Sequence, residues 1–182
     1  NDWLSPETKQ MAVKKLTSLG IQVGYPDEVD PLYSKFHVDE KLSLLNNARS
    51  FGKIATQDSF AKWNQPVERE RWEMSASTVN AYYHPFKNII VFPAAILQAP
   101  FYSLEQSSSE NYGGVGAVIA HEISHAFDNN GSLFDEFGNL NNWWTKADHE
   151  HFQKLADQMI AEFNGIPFAG SKVNGKLTVS EN

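Results

Sequence analysis

The sequence predicts a mainly α-helical chain with a small β-sheet, an α+β fold, and three observations predict it. Apolar residues recur at helical spacing in several stretches that open on capping residues. Two short β-branched and aromatic runs, residues 79–83 and 88–92, stand on either side of a turn. Hydrophobic residues are 41% of the 182, with Trp 5, Tyr 6 and Phe 12, which supports a packed core and argues against disorder.

The same composition excludes several classes of function. A formal net charge of −7 and a pI near 5.3 leave no basic patch for nucleic acid or an anionic membrane. No apolar run approaches the roughly eighteen residues of a membrane span, and no basic-then-apolar leader opens the chain. Cysteine is absent, so no disulfide framework exists, which fits a cytoplasmic bacterial protein. An extracellular or membrane-anchored parent stays open, because Asn1 is not a translation start and the chain reads as cut from something longer. Oligomeric state is not legible.

Ser5-Pro6-Glu7 opens the first helix: Ser5 as N-cap, Pro6 where its missing N–H costs nothing, Glu7 favourable to the dipole. Ala12, Val13, Leu16 and Leu19 predict a buried apolar face, and Gly20 a left-handed stop. Residues 21–27 read as extended, ending in a turn, with Pro31 the next break. Leu42, Leu45, Ala48 and Phe51 predict a helix over 38–51, and Phe60 and Trp63 a second one from about Ser59 to Pro66. Glu68-Arg69-Glu70-Arg71 reads as a solvated surface with local ion pairs.

The runs at 79–83 and 88–92 are predicted strands joined by His84-Pro85-Phe86-Lys87, and 93–98 a short helix with Pro93 in its first turn. Residues 107–111 read as a polar connection. Gly113 and Gly114 lack phosphate-loop spacing and are expected to let a neighbouring backbone approach closely. Turns are predicted at 129–131, 135–139 and 173–177. Thr145-Lys146-Ala147-Asp148 has capping-box spacing for a helix to Phe163, with Phe152, Leu155, Ala156, Met159, Ile160 and Phe163 on its core face and His149 and His151 in solvent. Residues 178–182 look like a helix start.

The chemistry lies in Val118-Ile119-Ala120-His121-Glu122-Ile123-Ser124-His125-Ala126-Phe127-Asp128. On a helix His121 and His125 sit one turn apart on one face, close enough to bind a single Zn²⁺. Glu122 lies beside them, where its carboxylate can act as general base on a water in the open coordination position. Val115, Val118, Ile119, Ile123, Ala126 and Phe127 surround the motif and predict a helix buried nearly all round, in which two histidines and a carboxylate need a partner such as a metal. Asp128, three residues past His125, either accepts an imidazole N–H or simply ends the helix. Asn80 reads equally as a strand-end residue or as a carboxamide holding a peptide group by two hydrogen bonds. His84, next to Pro85, reads as a loop residue.

These residues resemble the neprilysin-like zinc endopeptidases, most closely their bacterial oligopeptidase members. The resemblance rests on Val79-Asn80-Ala81-Tyr82-Tyr83, the run from Ile90 to Gln98, Asn111-Tyr112-Gly113-Gly114, the motif from Val118 to Asp128, Trp143-Trp144 and Ser180-Glu181-Asn182, with weaker similarity back to about Trp3. It implies a zincin (thermolysin-like) catalytic domain, with a helical lead-in over 1–75 and the zinc-site core over 76–182. It further implies one Zn²⁺ held by His121, His125 and Glu181, where Glu181-Asn182 fill the first two places of an E-N-x-x-D motif, and substrate backbone held by Asn80 and Ala81. The expected reaction is hydrolysis of internal bonds of oligopeptides through a zinc-bound water activated by Glu122. The family pattern also implies that the N-terminal lobe and extreme C-terminus lie outside this chain, so the segment alone is expected to be inactive and its zinc absent or partly occupied. The alternatives are a non-catalytic peptide-binding relative, against which intact Glu122 argues, and a zinc aminopeptidase, for which no acidic anchor appears near Asn80.

Overall fold

The computed structural model describes residues 1–181. Asn182, the second place of the E-N pair, lies outside the described residues. The first helix, α1 (Pro6–Thr17), starts as predicted, with the Ser5 hydroxyl accepting the Thr8 N–H. Its buried stripe is not the apolar one: Thr8 and Lys15, two turns apart, are fully enclosed, while Val13 and Leu16 are exposed. The cause is that α1 packs against polar partners, the Asp148 carboxylate and a set of backbone carbonyls. Gly20 is no left-handed stop; it begins β1 (Gly20–Gly24) and is required there because a Cβ would come within 2.6 Å of Ile89 Cγ2. The positive φ falls at Gly24, where β1 turns away.

A 3₁₀ turn at Pro31–Lys35 leads to α2 (Leu44–Ala61), one helix where the sequence suggests two. Helical spacing across 42–51 is right, but the start moves to the Ser43 cap because Asn47 holds 39–43 in a loop, bonding Asp39, Leu42 and Ser43 carbonyls. No helix begins at Ser59, and Phe60 and Trp63 are exposed. The charge run also differs from expectation, because its arginines reach distant partners. Arg69 donates to the Ser18, Lys87 and Asn88 carbonyls, and Arg71 pairs with Asp30 and Asp58.

The strands β2 (Tyr82–His84) and β3 (Ile89–Pro93) form the expected hairpin, although residues 79–81 precede the strand proper. Asn88 takes the left-handed turn conformation with φ 48°, which asparagine tolerates. The sheet order is β1-β3-β2, with β3 parallel to β1, antiparallel to β2, and buried along its whole length. After β3 a 3₁₀ turn at Ala94–Ile96 replaces the predicted short helix. Ala81, Ile90, Phe92 and Ile96 make the core, against which Val118 and Ile123 pack.

Residues 107–111 are not a plain connection. Ser107 and Glu110 form a capping box over α3 (Ser108–Asn111), which runs through a π-helical turn at Tyr112–Gly116 into α4 (Ala117–Ser124). A bridge between Phe134 and Leu140 spans the Asp135 turn, and α5 (Lys146–Phe163) follows. Thr145 caps α5, but Asp148 does not return the bond to the Thr145 backbone. Its carboxylate crosses to α1, accepting the Ser5 N–H and hydroxyl and the Thr8 hydroxyl, as well as the Thr145 hydroxyl. The predicted core face of α5 lines an open apolar groove, with Phe152 and Met159 opposite Trp3, Leu16, Phe127 and Trp144. The two-residue strands β4 (Pro167–Phe168) and β5 (Ser171–Lys172) form a hairpin. The last helix, α6 (Gly175–Thr178), starts at the Asn174 cap, earlier than predicted, and Gly175 allows it to press on the Ile160 carbonyl. Among the described residues no helix is long and apolar enough to cross a membrane.

Candidate metal centre and active site

The α4 helix reaches its place because Gly114 has no side chain. A Cβ there would lie 2.3 Å from the Phe101 carbonyl oxygen, and that oxygen accepts the Val115 N–H at 2.7 Å. Val118 and Ile123 then seat α4 on the sheet core. The helix is not buried all round as its composition suggests, since Ile119 is exposed and the His121 side chain is 41% exposed. Only the face toward the sheet is covered.

His121 and His125 turn their Nε2 atoms toward each other, 3.0 Å apart. Glu181, just past α6, brings Oε2 to 3.4 Å from His121 Nε2 and 3.7 Å from His125 Nε2. Ligand atoms held tetrahedrally by one zinc ion, at about 2.0–2.1 Å each, are separated by about 3.3 Å, so this triangle has the size the ion demands. The donor set fits as well. Asp128 Oδ2 lies 2.8 Å from His125 Nδ1 and can only accept, so that nitrogen carries the proton and Nε2 offers a lone pair. Two imidazoles and a carboxylate thus converge on one point, a set of Lewis bases suited to Zn²⁺.

Glu122, on the covered face, is 5% exposed. The Tyr83 backbone N–H of β2 favours its ionised form, while Oε2 is buried with no hydrogen-bond partner. Burial pushes its pKa above the ordinary glutamate value, opposed by His125, His121 and the Tyr83 N–H. A buried acceptor without a donor is costly, and here it lies beside the cluster of donor atoms. Asn80 is exposed immediately before β2, and Ala81 is buried in the sheet core. The strand they lead into lies at the sheet edge. His84 is held by Glu73 at 2.8 Å and takes no part in the cluster.

Sequence reading missed two contributors. The Tyr83 backbone N–H leaves no signature in a side-chain pattern. Lys15 is 1% exposed, with its amine beneath the turn after His125, and nothing separates it in sequence from the solvated lysines of α1. Burial lowers its pKa to about 8, partly offset by Asp128 and Asp135.

The model for peptidase family M13 matches residues 80–182, and the chain belongs to that family. It is 53% identical over 182 residues to a neutral endopeptidase of Lactococcus lactis subsp. cremoris, covering 100% of this chain and 29% of that protein. Among solved structures, PepO of Lactobacillus rhamnosis superposes with a TM-score of 0.91 at 49% identity, over 98% of this chain and 28% of that one. A zinc metalloprotease of Mycobacterium tuberculosis in complex with an inhibitor superposes at 0.88 and 39% identity, over 100% of this chain and 28% of that one. The fold is therefore the mostly helical zincin catalytic domain of this neprilysin-like family. The chain spans about a third of the length of the curated relatives it matches, 32% and 29% for two of them.

Proposed function

We propose that this chain carries the catalytic centre of a zinc-dependent endopeptidase that hydrolyses internal bonds of oligopeptides. The observation that carries the reading is the triangle of His121, His125 and Glu181 donor atoms beside a buried, partnerless carboxylate oxygen of Glu122. His121, His125 and Glu181 would hold the metal, with Asp128 fixing the tautomer of His125. Bound Zn²⁺ supplies Lewis acidity, which polarises a carbonyl and acidifies water.

Every other step belongs to side chains and backbone of this protein. Glu122 Oε2 accepts a proton from the attacking water and passes it to the leaving amine. The β2 edge receives an extended substrate, with Asn80 and Ala81 holding its backbone. In the full-length protein Glu122→Gln should keep zinc and peptide binding and lower kcat by about 10²–10⁴-fold. Near-normal turnover would remove Glu122 as the base.

A further inference from the structure

The turn that follows His125 is bolted from beneath by a lysine of the first helix. Lys15 Nζ donates to the Ala126 and Gly131 carbonyl oxygens at 2.7 Å and to that of Phe134 at 2.8 Å. An ammonium has three protons and no acceptor, so these three bonds satisfy it completely. The rings of Tyr83, Phe127 and Trp143 stand 5.8–5.9 Å from it, a distance at which aromatic faces attract a cation. A neutral side chain of similar length would leave three carbonyls without this donor at the end of a helix whose dipole already favours positive charge there.

Two of the bolted carbonyls bracket Asp128. The Ala126 carbonyl precedes it and the Gly131 carbonyl follows it, and between them Asp128 Oδ1 accepts the Asn130 N–H at 2.7 Å and the Gly131 N–H at 2.6 Å. That leaves Asp128 Oδ2 directed at His125 Nδ1. The turn is folded hard against the helix end, since a Cβ on Gly131 would fall 1.8 Å from the His125 carbonyl oxygen. Lys15 also meets the other half of the site. Its ammonium lies under the ring of Tyr83, on the strand that packs against α4, and its own carbonyl accepts the Asn88 Nδ2–H, while Asn88 Oδ1 accepts the Tyr83 hydroxyl.

We propose that Lys15 is a positioning residue of the metal centre: by holding the Ala126 and Gly131 carbonyls it keeps Asp128 in hydrogen-bonding position on His125, and so sets the metal affinity of the His121, His125 and Glu181 site. Lys15 touches neither metal nor substrate. The proposal rests on the zinc-peptidase reading and deepens it.

The test measures Zn²⁺ affinity by chelator competition, and the absorption spectrum of the Co²⁺-loaded form, in the full-length protein. Wild type, Lys15→Met, Asp128→Asn, the double variant and Thr8→Val are compared. Thr8→Val breaks the other buried polar contact of α1, with Asp148, and controls for general loss of stability. Lys15→Met should weaken Zn²⁺ binding about 10–100-fold, the range for removing a residue that orients a ligand, and alter the Co²⁺ spectrum. Thr8→Val should leave both unchanged. In the Asp128→Asn background Lys15→Met should cost little more, because both changes act through one hydrogen bond. Additive losses, or equal losses in Lys15→Met and Thr8→Val, would overturn the proposal. Should Lys15→Met fail to fold, Lys15→Gln, which keeps two N–H donors, should show a smaller loss of affinity; wild-type affinity there would also overturn it. Zinc retained in His121→Ala would instead refute the zinc-site reading itself.

Discussion

Asp128 joins its own turn to His125: one carboxylate oxygen lies 2.8 Å from His125 Nδ1, and the other takes the backbone N–H groups of Asn130 and Gly131. Asp128→Ala removes the imidazole partner and the turn's anchor together. Zn²⁺ affinity should fall about 10–100-fold, read by chelator competition. Unchanged affinity would mean the imidazole is oriented by other groups.

Asn80→Ala tests the substrate edge. A side chain that binds only peptide backbone contributes equally to every substrate, so kcat/KM in the full-length protein should fall by a similar factor for all peptides, about 1–3 kcal/mol. A loss confined to peptides of one side-chain class would make Asn80 part of a specificity pocket.

Gly131→Ala tests how tightly the turn is closed. The added Cβ would meet the His125 carbonyl oxygen at 1.8 Å, which neither backbone can relieve without moving. The expected cost is at least about 1–3 kcal/mol, visible as a lower Tm, together with weaker Zn²⁺ binding because the shift acts on His125. Gly113→Ala, where a Cβ meets nothing within 4 Å, serves as the control and should cost far less.

Asp148 gives a pH test. Hydrogen bonds from the Ser5, Thr8 and Thr145 hydroxyls and the Ser5 N–H hold its pKa well below the ordinary aspartate value. A carboxylate whose pKa is depressed by folding stabilises the fold above its unfolded pKa, about 3.9, and loses that contribution as pH falls through and below it. The Tm gap between wild type and Asp148→Asn should therefore be widest near neutral pH and narrow as pH falls below about 4. A constant gap from pH 7 to pH 3 would show that the carboxylate charge is not what joins α1 to α5.

How much of this was legible beforehand follows from the range of the interactions. The Ser5 and Thr145 caps, the hairpin turning at His84-Pro85-Phe86-Lys87 and the close approach at Gly114 were readable because each involves a local pattern or a residue type with one evident use, whereas the left-handed turn conformation of Asn88, read as a strand residue, was not. The helix over 38–51 was misplaced because Asn47, a polar residue with no helical signal of its own, ties up the preceding loop. Predicted apolar faces on α1 and α5 proved to border an open groove, since periodicity reports an apolar stripe but not what covers it.

By itself the sequence determined the pair of histidines one helical turn apart with a glutamate between them, because helix geometry converts a spacing of four into a shared face. The resemblance added Glu181 and the family. Only the tertiary structure decided that Glu181 Oε2 closes the triangle, that Glu122 is buried beside it, and that Lys15 supports the turn behind His125 from 111 residues away. Those contacts depend on how separate elements pack, and buried polar groups take whatever partner the packing supplies, so no local pattern encodes them.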